Sequence, residues 1–447
     1  MDWCKLLNPN RLGQRPGKYE IGRSPFNADH DKVIFSGSFR RLARKTQVHP
    51  LAVNDHVHNR LTHSLEVACV GRSLGLRVGQ ELRQHLPPNI EPSDLGDIVQ
   101  TACLAHDIGN PPFGHTGEEA IRHWFRNDGR RFLKDLSQAE ACDLINFEGN
   151  AQGLRVLISN EYHTHDGGMR LTYGSLAAVI KYPWTALPAV SQQRPKNNKF
   201  GVFQSEIRAF HEIAEAVGLI ACDGADWFHR HPLVCLMEAA DDFCYGLLDL
   251  EDGLEMGILE WEEVFAILRP VLAHENTDAL YAELGRASDG RKPSLIRGRI
   301  ISTCINSAAN AFVRHEKGIL NGEYAELLPL CDPAIGEYVN AAKRLARQKI
   351  FTHPRKVELE IGAYNIIATT LEVMCQAVQE FIERPDHLSF KSQRVMDLLN
   401  RNSFHPEIRS DNPPNSPMYL ALMRVIDFVS GMTDHYATYM AKQINGG

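Results

Sequence analysis

Three separated segments carry the side chains that a divalent cation binds. His63 lies in Arg60-Leu61-Thr62-His63-Ser64-Leu65-Glu66-Val67. His106 and Asp107 are adjacent in Leu104-Ala105-His106-Asp107-Ile108-Gly109-Asn110, and Asp241 lies in Met237-Glu238-Ala239-Ala240-Asp241-Asp242-Phe243. Imidazole nitrogens and carboxylate oxygens suit Mn, Fe, Ni, Zn or Mg, so ligand type alone does not choose the metal. Two histidines and two aspartates would leave positions for water and a phosphate oxygen, as a catalytic site requires. A His-Asp dipeptide is common by chance. This one closes a strongly apolar segment, where desolvating both side chains without a partner costs several kcal/mol, and a cation is the simplest partner.

Acid–base chemistry has its own candidate downstream. His115 follows Gly114, and its imidazole can be tuned near neutral pH. Glu118 is one turn further on if Phe113–Glu118 enters a helix, where it could orient the ring. Arg60, three residues before His63, shares the histidine's side of a helix and could reach a phosphate. The cluster His163-Thr164-His165-Asp166 carries the same ligand types but reads as a solvated loop. No Gly-x-x-x-x-Gly-Lys-Ser/Thr phosphate loop occurs.

These residues must be held by helices. Leu61, Leu65, Ala68, Gly75, Leu82 and Leu86 recur at three-to-four spacing, as one face of a long helix does. Asp97 to Asp107 is a short apolar helix closed by Gly109, Pro111 and Pro112. Further helices are expected over Leu233–Asp249, Arg297–Arg314, Lys356–Glu383 and Met418–Gln443. Asp241, Tyr245 and Asp249 are four apart and fall on one helical stripe. The first sixty residues read as polar and turn-rich, and Ser191–Phe203 as a loop or short hairpin. Alternating strand patterns are nearly absent, so the expected fold is mostly α, a single helical domain with peripheral insertions.

Composition narrows the class. The 447 residues are 43% hydrophobic and 23% charged, as in a soluble globular protein. A net charge of −7 argues against a surface devoted to polyanions, though not against a local basic patch. Arg40-Arg41-Leu42-Ala43-Arg44-Lys45 is such a basic run, expected to be a solvated face. The ten cysteines are scattered without pairs, the N-terminus lacks a secretory pattern, and no stretch reads as a membrane span, so a reducing cytoplasm is expected.

The order His63, His106-Asp107, Asp241 is similar to the H…HD…D signature of the HD phosphohydrolase superfamily. Longer strings resemble its deoxyguanosine triphosphate triphosphohydrolase (dGTPase) branch. They are His106-Asp107-Ile108-Gly109-Asn110-Pro111-Pro112-Phe113-Gly114-His115-Thr116-Gly117-Glu118, Ser38-Phe39-Arg40-Arg41-Leu42 with Lys45-Thr46-Gln47-Val48, Asn146-Phe147-Glu148-Gly149-Asn150, Lys181-Tyr182-Pro183-Trp184 and Ser430-Gly431-Met432-Thr433-Asp434. The blocks span nearly the whole chain.

The resemblance implies an HD-domain helical bundle, with a core over about 58–250 and a helical part over about 255–447 completing a nucleotide pocket. It implies hydrolysis of dGTP or other dNTPs to deoxynucleoside and triphosphate, with one divalent ion (Mn2+ or Mg2+ foremost, or Fe, Ni, Co or Zn). The ligands would be His63, His106, Asp107 and Asp241. Asp242 is the rival to Asp241, but the family pattern puts the ligand first, with a tyrosine four residues later, as Tyr245 is. His115 and Glu118 fall at the catalytic histidine and its acidic partner. Lys181 and Tyr182 match phosphate and sugar contacts, as do Gln47, Val48, Tyr245 and Asp249 for the deoxyribose. Phe351 and Glu360 match the positions that read the base. Also implied are a homo-oligomer, often a hexamer, a nucleotide activator and single-stranded DNA as a partner, with no membrane. Other HD chemistries, a 5′-nucleotidase or a phosphodiesterase, and a nucleic-acid-binding regulator are the alternatives.

Overall fold

The computed structural model describes residues 1–447 apart from 14, 18–19, 48–56, 161–167, 188–198, 223–225, 273–276, 288–290 and 401–414. Val48 and the His163–Asp166 cluster lie outside the described residues. The described chain is built from helices, and strand pairing is limited to isolated bridges such as Trp184 with Trp227 and Ala221 with Phe228. The all-helical class expected from the sequence is the observed one. Residues 191–198, most of the expected loop or hairpin, lie outside the described residues; just after them, Lys199 O accepts from Trp184 Nε1 at 2.6 Å.

The helices that position the site, in chain order, are α1 (Arg60–Glu81), α2 (Pro92–Ala105), α3 (Gly114–Arg126), α4 (Gly149–Arg155), α5 (Val234–Glu255), α6 (Lys292–Arg314), α7 (Pro333–Leu345), α8 (Pro354–Glu383), α9 (Pro417–Gly431) and α10 (Asp434–Ile444). Helix α1 starts sharply because the Asn59 side chain accepts from Thr62 N while the Thr62 hydroxyl reaches back to Asn59 N. Helix α2 starts on Pro92, whose missing N–H costs nothing in the first turn. The two helices then pack backbone to backbone. A Cβ on Gly71 would lie 2.4 Å from Cys103 Sγ, one on Gly75 2.6 Å from Leu95 O, and one on Gly79 2.9 Å from Pro92. Glycine every fourth residue removes the side chains that would hold α1 off α2.

Two apolar cores follow. Helices α1, α2, α5, α6 and α7 share the first, with Val67, Leu74, Ile98, Leu104, Leu236, Phe243, Phe312 and Tyr338 at its centre. The second gathers α3, α8, α9 and α10 around Trp124, Phe125, Phe147, Phe203, Leu371, Met374 and Tyr419. Helix α5 runs unbroken past residue 250, and α6 and α7 share the first core with it.

Several local expectations change. Residues Pro25–Ile34 and Gly37–Arg41 are helical, each capped by a serine, in a region that reads as turns. The segment Met418–Gln443 is two helices, parted at Met432 and Thr433, where the Thr433 side chain caps α10. By length and composition Lys356–Glu383 could cross a membrane. Its apolar face, with Ala363, Ile367, Leu371, Met374 and Val378, is instead buried in the second core.

Candidate active site

Helix α1 delivers His63, the turn after α2 delivers His106 and Asp107, and α5 delivers Asp241. The donor atoms of His63, His106 and Asp241 lie within 4.8 Å of one another. His63 Nε2 is 3.1 Å, and His106 Nε2 3.6 Å, from the same oxygen, Asp241 Oδ1. His106 Nδ1 is 2.6 Å from Cys103 O, so Nε2 faces the carboxylate, as a proton donor when the ring is charged and with a lone pair when it is neutral, as a metal ligand must be. A lone pair aimed at an anion is repulsive unless a cation lies between them, so this donor set fits a divalent ion. Burial opposes a charge on His63, but the surrounding Asp241, Asp107 and Asp249 raise its pKa on balance. Burial also opposes ionisation of Asp241, yet His106, His63 and Lys181 hold its carboxyl well below the usual range.

Asp107 stands beside this cluster. Its Oδ1 is 3.6 Å from His106 Nε2 and accepts from Asn110 Nδ2 at 2.5 Å, while its Oδ2 accepts from Arg60 Nη1 at 2.6 Å. Arg60 and Asp107 are both buried. Removing one partner of such a pair costs about 3–5 kcal/mol. Arg60 is thus on the metal side of α1, as its spacing predicts. Asp242, one residue from Asp241, points to α7 and takes Lys343 Nζ at 2.6 Å.

His115 is the second residue of α3. Its Nδ1 is 2.9 Å from Glu118 Oε2, and its side chain is 83% exposed. Glu118 is buried and accepts from Gly149 N, the first residue of α4, at 2.8 Å. Burial alone would raise its pKa, but the His115 hydrogen bond and the Lys199 and Arg122 charges lower it. Asn110 and Glu118 both crowd Gly149, where a Cβ would sit 2.4 Å from Asn110 Oδ1 and 2.7 Å from Glu118 Oε1. The backbone that leads into α3 is strained. Phe113 has φ 63 and Gly114 φ 57. The left-handed conformation costs a residue like Phe113 roughly 1–3 kcal/mol. Gly114 makes room for Arg60, whose Nη2 would lie 2.5 Å from a Cβ there.

Other candidates take definite places. Lys181 Nζ is 3.4 Å from Glu238 Oε1, one turn before Asp241 on α5, and Tyr182 is buried beside it. Burial works against the Lys181 charge, but Glu238 and the aspartates beyond it raise its pKa. Tyr245 and Asp249 hydrogen-bond to each other. Asp249 is buried with Oδ2 unpartnered, and burial pushes its carboxyl up to about 7. Gln47 likewise has a buried Oε1 without a partner. Glu360, on α8, accepts from Thr116 Oγ1 at 2.9 Å and pairs with Lys356, whose Nζ is 5.3 Å from the half-buried Phe351 ring. His115, Thr116, Glu119 and Glu360 line one groove of about 640 Å³.

The basic run divides. Arg40, Arg41 and Arg44 are exposed, but Lys45 is buried, donating to Asn110 O at 2.5 Å and Ser430 O at 2.7 Å. Burial, then the neighbouring arginines, push its pKa down to about 7. Sequence reasoning also missed Glu148, buried between Lys199 and Arg122, with Lys199 Nζ at 2.9 Å. It missed Arg230, whose Nη1 donates to Glu238 at 2.7 Å and whose guanidinium lies 5.3 Å from the Tyr182 ring. Glu148 stands inside one of the quoted blocks, but a single acidic residue there has no spacing that marks it, and Arg230 has no signal.

Comparison with known proteins identifies the family. A family model described as HD domain matches residues 60–166, the span holding His63, His106, Asp107, His115 and Glu118. The chain is 51% identical over its full length to a deoxyguanosinetriphosphate triphosphohydrolase-like protein of Pseudomonas aeruginosa, covering 99% of that protein. It is 36% identical to one of the same description from Synechocystis, covering 100% of this chain and 99% of the relative. With a deoxyguanosinetriphosphate triphosphohydrolase of Salmonella paratyphi A it shares 29% identity, over 98% of this chain and 97% of the relative. A bundle that brings an HD pair onto a distant histidine and aspartate, matched end to end by such relatives, belongs to the deoxyguanosinetriphosphate triphosphohydrolase-like family of HD-domain hydrolases.

Proposed function

We propose that this protein hydrolyses deoxynucleoside triphosphates, dGTP among them, at the α-phosphate, releasing the deoxynucleoside and intact triphosphate. The observation that carries the reading is the pairing of two devices in one place. The His63, His106 and Asp241 donors have Asp107 beside them, and Asn110, which donates to Asp107, packs on Gly149, whose N–H donates to Glu118 of the His115–Glu118 pair. A divalent ion, Mn2+ or Mg2+ before Fe, Ni, Co or Zn, would be held by His63, His106, Asp107 and Asp241 and would polarise an α-phosphate oxygen.

The rest is the work of side chains. In the hydrolysis a water oxygen bonds to the α-phosphorus and gives up a proton while the bond from phosphorus to the 5′-oxygen breaks, and that oxygen leaves well only when protonated. Glu118 holds His115 by Nδ1, so Nε2 is the position that carries a proton outward to the leaving oxygen. Lys181 and Arg60 supply positive charge for the phosphates. Tyr245 walls the place of a 2′-hydroxyl, and the unpartnered oxygens of Asp249 and Gln47 are ready acceptors for the sugar's 3′-hydroxyl. Val48 would share the sugar contact, and Phe351 and Glu360 would read the base.

We further infer one catalytic unit, an HD core over about 58–250 completed by about 255–447, acting in the cytoplasm as a homo-oligomer, a hexamer by the resemblance. A nucleotide is its inferred activator. The exposed Arg40, Arg41 and Arg44 on one short helical turn favour single-stranded DNA as a second partner.

The test is incubation of the pure protein with each of the four dNTPs and GTP, plus Mn2+ or Mg2+, with products resolved by anion exchange. Deoxynucleoside with intact triphosphate is the expected result. Orthophosphate or pyrophosphate instead would assign a 5′-nucleotidase or phosphodiesterase chemistry. No product under any condition would favour the binding-protein reading.

A further inference from the structure

We propose that Asp434, assisted by Lys45, is a positioning residue that sets where His115 stands relative to the metal-ligand cluster. The inference rests on the functional reading above. Asp434 is the first residue of α10, and it is 1% exposed. Thr433 caps that helix, so the Asp434 carboxylate is free to face away from it. Its Oδ1 accepts from Phe113 N at 2.9 Å, and its Oδ2 from Thr46 N at 3.0 Å and Thr46 Oγ1 at 2.5 Å. One buried carboxylate therefore pins the left-handed residue that opens the His115 helix and the residue before Gln47. Lys45 adds a parallel tie. Its Nζ joins Asn110 O, in the loop of the HD pair, to Ser430 O at the end of α9, and its carbonyl accepts from Arg60 N at 3.1 Å.

The left-handed Phe113 has no glycine's freedom, so its conformation persists only while its surroundings hold it. The Asp434 bond to its N–H is the hydrogen bond that ties that residue's backbone to α10, beside the packing of its ring in the second core. Without it the turn can relax toward ordinary backbone angles, and His115, two residues on, moves with it. The block Ser430–Asp434 thereby gains a role: the C-terminal helices hold the acid–base pair in place.

Two measurements decide this. In hydrogen–deuterium exchange, Asp434→Asn is expected to speed exchange of the 110–117 segment at least about tenfold while leaving the Met237–Phe243 turn of α5 unchanged. Unaltered exchange at 110–117 overturns the proposal whatever the substrate. In dGTP hydrolysis with Mn2+, the variant is expected to lose about tenfold or more in kcat with KM within about threefold. In a His115→Ala background the same change should cost nothing further. An equal loss in both backgrounds assigns Asp434 a general structural role and also overturns it. If Asp434→Asn does not fold, Thr46→Val removes one of the three bonds and is expected to show the same pattern, weaker. A wild-type protein inert toward every dNTP would sink the functional reading, and the exchange result would then decide the positioning role alone.

Discussion

Asp249 offers a prediction whose size follows from the structure. The carboxyl is buried on α5, bonded to Tyr245 through one oxygen and unpartnered at the other, and burial raises its pKa from 3.8 to about 7. The folded protein thus holds this proton more tightly than the unfolded chain does. Below the unfolded value both states are protonated and nothing is lost. As pH rises from there to about 7, stability falls by about 1.4 kcal/mol per pH unit, then levels off near a cost of about 4 kcal/mol. Asparagine keeps the shape and one acceptor but does not titrate. Between about pH 5.5 and pH 8.5, the stability of Asp249→Asn relative to wild type should therefore improve by about 2 kcal/mol. The assay is urea unfolding of metal-stripped protein at a series of pH values, comparing midpoints at constant slope. A difference between variant and wild type that stays flat across that range would refute a burial-raised carboxyl at this position. The same variant should raise KM for dGTP, because the acceptor for the sugar hydroxyl is weakened.

The remaining predictions concern the site directly. His106→Ala and Asp241→Asn should abolish turnover and lower Mn2+ binding in calorimetry, whereas Asp242→Asn should bind Mn2+ as wild type does, because Asp242 serves Lys343; equal losses in both aspartate variants would contradict the assignment. Glu118→Gln should lower kcat by about 10²-fold or more with little change in Mn2+ affinity, since it holds the His115 ring. Gly114→Ala should lose most activity, because a Cβ there meets Arg60 and the backbone is left-handed; a fully active variant would show that Arg60 is free to move. Tyr245→Ala should relax the rejection of ribonucleotides, and an unchanged ratio of dGTP to GTP hydrolysis would remove Tyr245 from that role.

Local chemistry was readable from the residues alone wherever it depends on helical periodicity. The three-to-four spacing finds α1, although Leu65 is exposed and Leu82 and Leu86 lie past the helix end, and the spacing of four marks the Asp241, Tyr245 and Asp249 stripe of α5. His115 and Glu118 are one turn apart in α3, and Arg60 is on the His63 side of α1. Such features need only a few consecutive residues and the fixed pitch of a helix. The choice of Asp241 over Asp242 is different in kind. Both have the same chemistry and are adjacent; the resemblance favours Asp241, but the physical reason lies in the packing of α7, which brings Lys343 to Asp242. The same holds for Lys45, which reads as part of a solvated basic run and is buried because α9 ends against the HD loop. Glu148 gains its meaning from Lys199 and Arg122, and Asp434 from a backbone N–H that is 321 residues away. Burial and long-range partners depend on how whole helices pack, and no local pattern encodes where a distant surface will come to rest.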